Sequence, residues 1–220
     1  DLAAALKSRI KGSVSLRMVG AARSDEFRYT FAQPDHNRLA SRLDATMPIE
    51  SDVNPHGSTF KAHREAMISL VDEVRELEDR VIRSSEKKRE KFEGRGQLLP
   101  RDRVALLLDR GRPVIELCSL AGLGMHDDDG EHRLQGGNSY MAIGWVSGVR
   151  VMVYAHNSAI KGGAISPMGV KKALRAQEIA LENRLPMVTL AESAGANLQY
   201  QSELFVEGGR TFANQAKLSA

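Results

Sequence analysis

Hydrophobic and polar positions change their period several times along this chain. Between residues 58 and 93, Met67, Leu70, Val74, Leu77 and Val81 recur at alternating spacings of three and four, with Glu and Arg filling the other faces. That pattern predicts a long charged helix ended by Gly94-Arg95-Gly96. Its stripe covers only about two heptads, so it reads as an amphipathic arm packed on its own domain or on a neighbouring subunit rather than as a coiled coil. A second helix is predicted over residues 100–110, with Pro100 at its start and Gly111 just past its end. Residues 114–117 read as a strand. The clearest β signal is Tyr140-Met141-Ala142-Ile143-Gly144-Trp145-Val146 and Val149-Arg150-Val151-Met152-Val153-Tyr154 around Ser147-Gly148, an antiparallel hairpin.

Beyond the hairpin, residues 159–197 hold two glycine-bearing turns that bracket one helix and one strand. The first turn is Lys161-Gly162-Gly163-Ala164 and the second Glu192-Ser193-Ala194-Gly195-Ala196-Asn197. Ser166 is the expected N-cap, Pro167 takes the first helical position, and Leu185-Pro186 stops the helix before the apolar strand Met187-Val188-Thr189-Leu190. Each turn follows apolar residues and sets bare backbone N–H groups where a ligand can approach, the geometry of an anion hole. Lys171, Lys172 and Arg175 near the helix start oppose its dipole. Two readings of them stand level: a site for an anion, phosphate foremost, or a solvated basic face. Hairpin, turn, helix, strand and turn compose a β-β-α spiral unit of an α/β (α+β) chain, not a doubly wound nucleotide fold.

Composition narrows the classes of function. With 220 residues, 42% hydrophobic and 27% charged, the chain can build a real core as one large or two small domains. A net charge of +3 and 5% aromatic residues give no basic-aromatic interleaving, so nucleic acid is not an expected partner. No apolar run reaches the roughly 18 residues of a membrane span. The single Cys118 excludes an internal disulfide and reads as a buried structural thiol in a reducing compartment. Residues 123–132 carry His126, Asp127, Asp128, Asp129 and His132, yet their spacing suits neither calcium nor zinc, so a mobile surface loop is expected and no metal. Residues 1–46 show no sustained period; Gln33-Pro34-Asp35-His36-Asn37 is turn chemistry, Met47 is a candidate natural start, and Lys7, Arg9, Lys11, Arg17 and Arg23 weakly suggest a transit sequence.

Several stretches together resemble a known family: Arg95-Gly96-Gln97-Leu98-Leu99-Pro100-Arg101-Asp102-Arg103, the hairpin, Lys161-Gly162-Gly163-Ala164, the helix from Val170 to Ala180, Asn183-Arg184-Leu185-Pro186, and Glu192-Ser193-Ala194-Gly195-Ala196-Asn197-Leu198. They are similar to the carboxyltransferase (β) subunit of biotin-dependent acyl-CoA carboxylases, most of all the methylcrotonoyl-CoA and geranyl-CoA branch. The resemblance runs from about residue 56 to the end. It implies a crotonase (ClpP-like) fold with an N-terminal helical arm, and transfer of a carboxyl group from carboxybiotin, carried on a biotin carboxylase/carboxyl carrier (α) subunit, to an acyl-CoA. By the same resemblance, Gly163, Ala164, Ala194 and Gly195 would line the thioester carbonyl, and biotin itself would accept the proton. Lys161, Gly162, Lys171, Lys172, Arg175 and Ser193 become candidates for the acyl-CoA. A β hexamer is implied, in the cytoplasm of a bacterium or the mitochondrial matrix of a eukaryote.

On this reading residues 1–46 are an unassigned extension, 47–112 the arm, and 113–220 a truncated N-terminal crotonase-like domain. The family's chain is over twice as long, with a second half that holds biotin across a subunit interface, so this chain reads as one half of a composite site. Ala194 stands where the family has glycine, which matters if the turn needs a positive φ there. Three rival readings are kept. Ala191-Glu192-Ser193-Ala194-Gly195 is a near miss to a nucleophile elbow, which would make Ser193 a hydrolase nucleophile, but no histidine follows it. A crotonase-fold hydratase would lack the charged arm. A CoA-binding module without turnover is the non-enzyme alternative.

Overall fold

The computed structural model describes residues 15–19, by backbone alone, and 52–219. The turn at residues 33–37, the candidate start at Met47 and the basic N-terminal residues lie outside the described residues. Within the extension one element is described, strand β1 (Ser15–Val19), which the sequence pattern did not predict. Contacts divide the chain into Ala22–Val74 and a larger unit of Asp1–Ala21 with Arg75–Ala220. In the smaller unit, Met67, Leu70 and Val74 of helix α1 (Ser58–Glu86) are exposed.

In the larger unit, α1 is followed by the short α2 (Arg89–Glu93) and by α3 (Pro100–Leu107), so the single helix expected to residue 93 is broken and the second ends three residues early. The break at residues 87 and 88 lets Arg89 turn onto Glu86 and Asp102, at 2.6 and 2.7 Å. The strand expected over 114–117 shrinks to β2 (Ile115–Glu116). Cys118, just after it, is exposed with a left-handed φ of 53°, a correction to the buried thiol expected of it.

The hairpin forms as predicted, β3 (Ser139–Val146) and β4 (Val149–His156), with Ser147 and Gly148 both at positive φ and their N–H groups donating to Asp109. Helix α4 (Pro167–Glu182) follows, then β5 (Met187–Ala191), parallel to β4, and α5 (Gln201–Ser219). The described strands make one sheet in the order β1-β5-β4-β3-β2. Strand β4 lies at its centre and is buried on both faces. Val151, Val153 and Ala155 pack with Leu107, Leu108 and Val188 on the α3 side, while Met152 and Tyr154 meet Ala176 and Ala180 of α4 on the other. A central strand therefore reads as a nearly continuous apolar run.

Helix α4 begins where its sequence says it should. The Gly169 N–H donates to the Ser166 hydroxyl at 3.0 Å, and Pro167 fills the first helical position. Gly169 allows close approach, since a Cβ there would stand 2.6 Å from the Gly137 carbonyl oxygen. Lys172, expected among surface cations, is buried at 3% exposure and donates to the carbonyls of Gly136 and Ser139 at 3.0 and 2.8 Å. Desolvation pulls its pKa down to about 8. The loop at 123–132 is tied by its own aspartates: Asp128 accepts from the N–H groups of Gly124, Gly130 and Gln135, and Asp129 from those of Glu131, His132 and Arg133. Asp128 is buried while Gly124, Met125, His126, Asp129, Glu131 and His132 are exposed, so the segment is the surface loop its polarity suggested, anchored by its own aspartates.

Candidate functional site

The two glycine turns meet at the C-terminal ends of β4 and β5. Lys161, Gly162 and Gly163 take φ values of 48°, 65° and 74°, a tight left-handed turn. In the second turn only Gly195 is left-handed, at 96°; Ala194 is not, so the methyl group carried in place of glycine fits without backbone strain. The turns are zipped together. The Ala194 N–H donates to the Gly162 carbonyl at 3.0 Å, the Ser193 hydroxyl to the Gly163 carbonyl at 2.7 Å, and the Ile165 N–H to the Gly195 carbonyl at 2.8 Å. Buried Gly163 makes this possible, because a Cβ there would overlap the Glu192 carbonyl oxygen.

All four N–H groups expected to face a thioester oxygen have partners within the chain. Gly163 donates to Ile160 at 2.9 Å, Ala164 to Lys161 at 3.2 Å, Ala194 to Gly162, and Gly195 to the Ser193 hydroxyl at 3.0 Å. Ala164 holds the longest bond of the set, and Gly195 is held only by a neighbouring side chain. These two can be exchanged for a ligand oxygen with least loss. Asn138 fixes the first from behind, its amide donating to the Ala164 carbonyl at 3.2 Å.

Side chains around the turns set the charge. Glu192 pairs with the nearly buried Arg103, and Lys161 with Asp127, whose pKa the lysine lowers. A cleft of about 540 Å³ opens at the turns, lined by Lys161, Gly162, Glu192, Ser193 and Ala194 together with Lys88, Lys91 and Arg95. Lys171 and Arg175 are exposed on α4 but do not line this cleft, and Arg175 pairs with Glu178 at 3.3 Å. With Lys172 buried, none of the three helix cations reaches the turns. Of the cations that line the cleft, Lys161 is a sequence candidate, whereas Lys88, Lys91 and Arg95 are not, although they stand three and four residues apart, the spacing of one helix face.

Ser193 is not set up as a nucleophile. Its hydroxyl proton goes to a backbone carbonyl and its oxygen takes the Gly195 N–H, leaving it no bonded base. His156, at the end of β4, is kept neutral by burial, which lowers its pKa. Among the described residues, no three His, Cys, Asp or Glu side chains gather as a metal site, and no helix is long and apolar enough to cross a membrane.

The profile of the carboxyl transferase domain matches residues 91–220, which contain both turns, the hairpin and α4. The chain belongs to the carboxyl transferase domain family. It is 41% identical over 187 residues to the probable mitochondrial methylcrotonoyl-CoA carboxylase β chain of Drosophila melanogaster, covering 83% of this chain and 32% of that one. It is 45% identical over 139 residues to the biotin-dependent 3-methylcrotonyl-coenzyme A carboxylase β1 subunit of Mycobacterium tuberculosis, covering 62% and 26%. Among solved structures, the β subunit of Pseudomonas aeruginosa geranyl-CoA carboxylase superposes with a TM-score of 0.69 at 54% identity, over 77% of this chain and 32% of that one. Transcarboxylase 12S, at 20% identity and a TM-score of 0.60, shares the fold. The carboxyl transferase chain described here thus has the crotonase-type fold of those enzymes, and spans about a third of the length of the relatives it matches.

Proposed function

We propose that this chain is the N-terminal part of a carboxyltransferase β subunit that moves a carboxyl group from carboxybiotin to an acyl-CoA of the methylcrotonoyl or geranyl kind. The observation that carries the reading is the pair of backbone turns, joined by the Ala194 and Ser193 hydrogen bonds, with the N–H groups of Ala164 and Gly195 on exchangeable partners beside an open cleft. Removing a proton conjugated to a thioester places negative charge on the carbonyl oxygen. Preorganised N–H donors at that oxygen are each worth about 3 kcal/mol in comparable sites.

On this reading Ala164 and Gly195 are the donors, and Gly163 and Ala194 hold them in place. The Ser193 hydroxyl is the placeholder that the substrate oxygen displaces from Gly195. Carboxybiotin, brought by a biotin-bearing partner subunit, supplies the carboxyl group as the second substrate. No side-chain base is required of this chain, which agrees with a neutral His156 and a self-contained Ser193. The family likeness favours assembly with that partner and with further copies of the β subunit, in the mitochondrial matrix or the bacterial cytoplasm.

The test uses the β subunit with its biotin-bearing partner, ATP and isotopically labelled bicarbonate, against acetyl-, propionyl-, methylcrotonoyl- and geranyl-CoA. The expected result is label in the methylcrotonoyl or geranyl thioester, read by mass. Label in none of them, with thioester binding intact, would refute carboxyl transfer.

A further inference from the structure

Three cations that line the cleft have no part in the carbonyl chemistry. Lys88 precedes α2, Lys91 lies within it and Arg95 follows it, and all three are exposed. Among the described residues none of the three has an ion-pair partner, whereas their neighbours are paired: Arg89 with Glu86 and Asp102, Arg101 with Glu116, and Arg103 with Glu192. Three like charges facing one concave space raise each other's energy, and the cleft concentrates their field. A ligand bearing several negative charges relieves that repulsion. Lys88 and Lys91 suit a phosphate as point charges, and the Arg95 guanidinium can grip two of its oxygens.

The same cleft is lined by Gly162, Ser193 and Ala194, so a ligand anchored on the cations can reach the turns. We propose that Lys88, Lys91 and Arg95 form the subsite for the phosphate-bearing end of an acyl-CoA, in place of the α4 cations Lys171, Lys172 and Arg175. Only the identification of the ligand's far end as a thioester rests on the carboxyltransferase reading.

The experiment compares binding of methylcrotonoyl-CoA, its 3′-dephospho form and methylcrotonoyl-pantetheine, which lacks every phosphate. The wild-type protein should hold the CoA ester about thirtyfold more tightly than the pantetheine ester, with a preference that shrinks as salt rises. The triple variant Lys88→Ala, Lys91→Ala, Arg95→Ala should abolish that preference while leaving the pantetheine ester's affinity unchanged. Lys217→Ala, an exposed lysine on α5 away from the cleft, should change neither. The dephospho form tells the 3′-phosphate from the diphosphate. A triple variant that keeps the wild-type preference, or that loses both esters alike, would overturn the subsite. Phosphate-dependent binding without carboxyl transfer would refute the reaction and leave the subsite standing.

Discussion

Replacing Gly163 with alanine is expected to destabilise the larger unit by about 3–5 kcal/mol and to lower carboxyl transfer at least about a hundredfold. Two effects add. An L-residue at φ 74° costs about 1–2 kcal/mol, and the new Cβ would collide with the Glu192 carbonyl oxygen, forcing the turns apart. Separation breaks the Ser193–Gly163 and Ala194–Gly162 hydrogen bonds, about 1 kcal/mol each, and displaces the Ala164 and Gly195 donors from a common oxygen. Gly162→Ala is the internal control. It shares a positive φ, 65°, but its Cβ would make only an ordinary contact with the Ala194 methyl at 3.6 Å. That variant should lose about 1 kcal/mol and keep most of its activity. Chemical denaturation and steady-state kinetics of both variants separate strain from collision. Equal effects of the two substitutions would contradict the close docking of the turns.

Lys172 is expected to make stability depend on pH above neutrality. Its pKa is depressed to about 8 in the folded chain against an unfolded value of 10.5, so between these limits the unfolded state binds more protons than the folded state. Stability therefore rises with pH across the window from about 8 to 10.5. The increase is up to about 3 kcal/mol, the ammonium's hydrogen bonds to the Gly136 and Ser139 carbonyls working against the desolvation that drives the shift. Lys172→Met has no proton to lose and should lack this component. Denaturant midpoints of both proteins at pH 8 and pH 10 give the difference directly. Parallel slopes would show that Lys172 is not buried as a cation.

Much of this architecture was legible because local rules and tertiary packing agree. The alternation of β3, the two-residue connection at Ser147 and Gly148, and the Ser166-Pro167 start of α4 carry their structure in residues a few positions apart. Where burial decides, the pattern misled. Lys172 reads as one more surface cation on α4, and only the turn at Gly136 and Gly137, distant in sequence, turns it into a buried donor. Cys118 looks like a small core residue after apolar neighbours, yet the chain leaves the sheet after Glu116 and exposes it. The acidic loop resembles a metal site because its aspartates are placed to bind something, and what they bind is their own backbone N–H groups.

The anion hole was predicted from bare glycine turns, but not that all four expected donors would be occupied within the chain. Sequence marks where N–H groups can be presented, while their partners are set by how two turns 30 residues apart dock, as Ser193 and Gly163 do. The basic residues of the cleft were hidden differently. Lys88, Lys91 and Arg95 belong to a charged stretch in which paired Arg89 looks the same, and only the broken helix separates satisfied cations from unsatisfied ones.

The central claim, that Ala164 and Gly195 receive the thioester oxygen, is tested most directly by amide resonances. Uniformly ¹⁵N-labelled protein titrated with methylcrotonoyl-CoA should show the Ala164 and Gly195 N–H signals moving downfield as the acyl oxygen replaces Lys161 and Ser193 as acceptor, with free CoA leaving both in place. Saturable binding of the thioester that leaves those two amides unmoved would contradict the account.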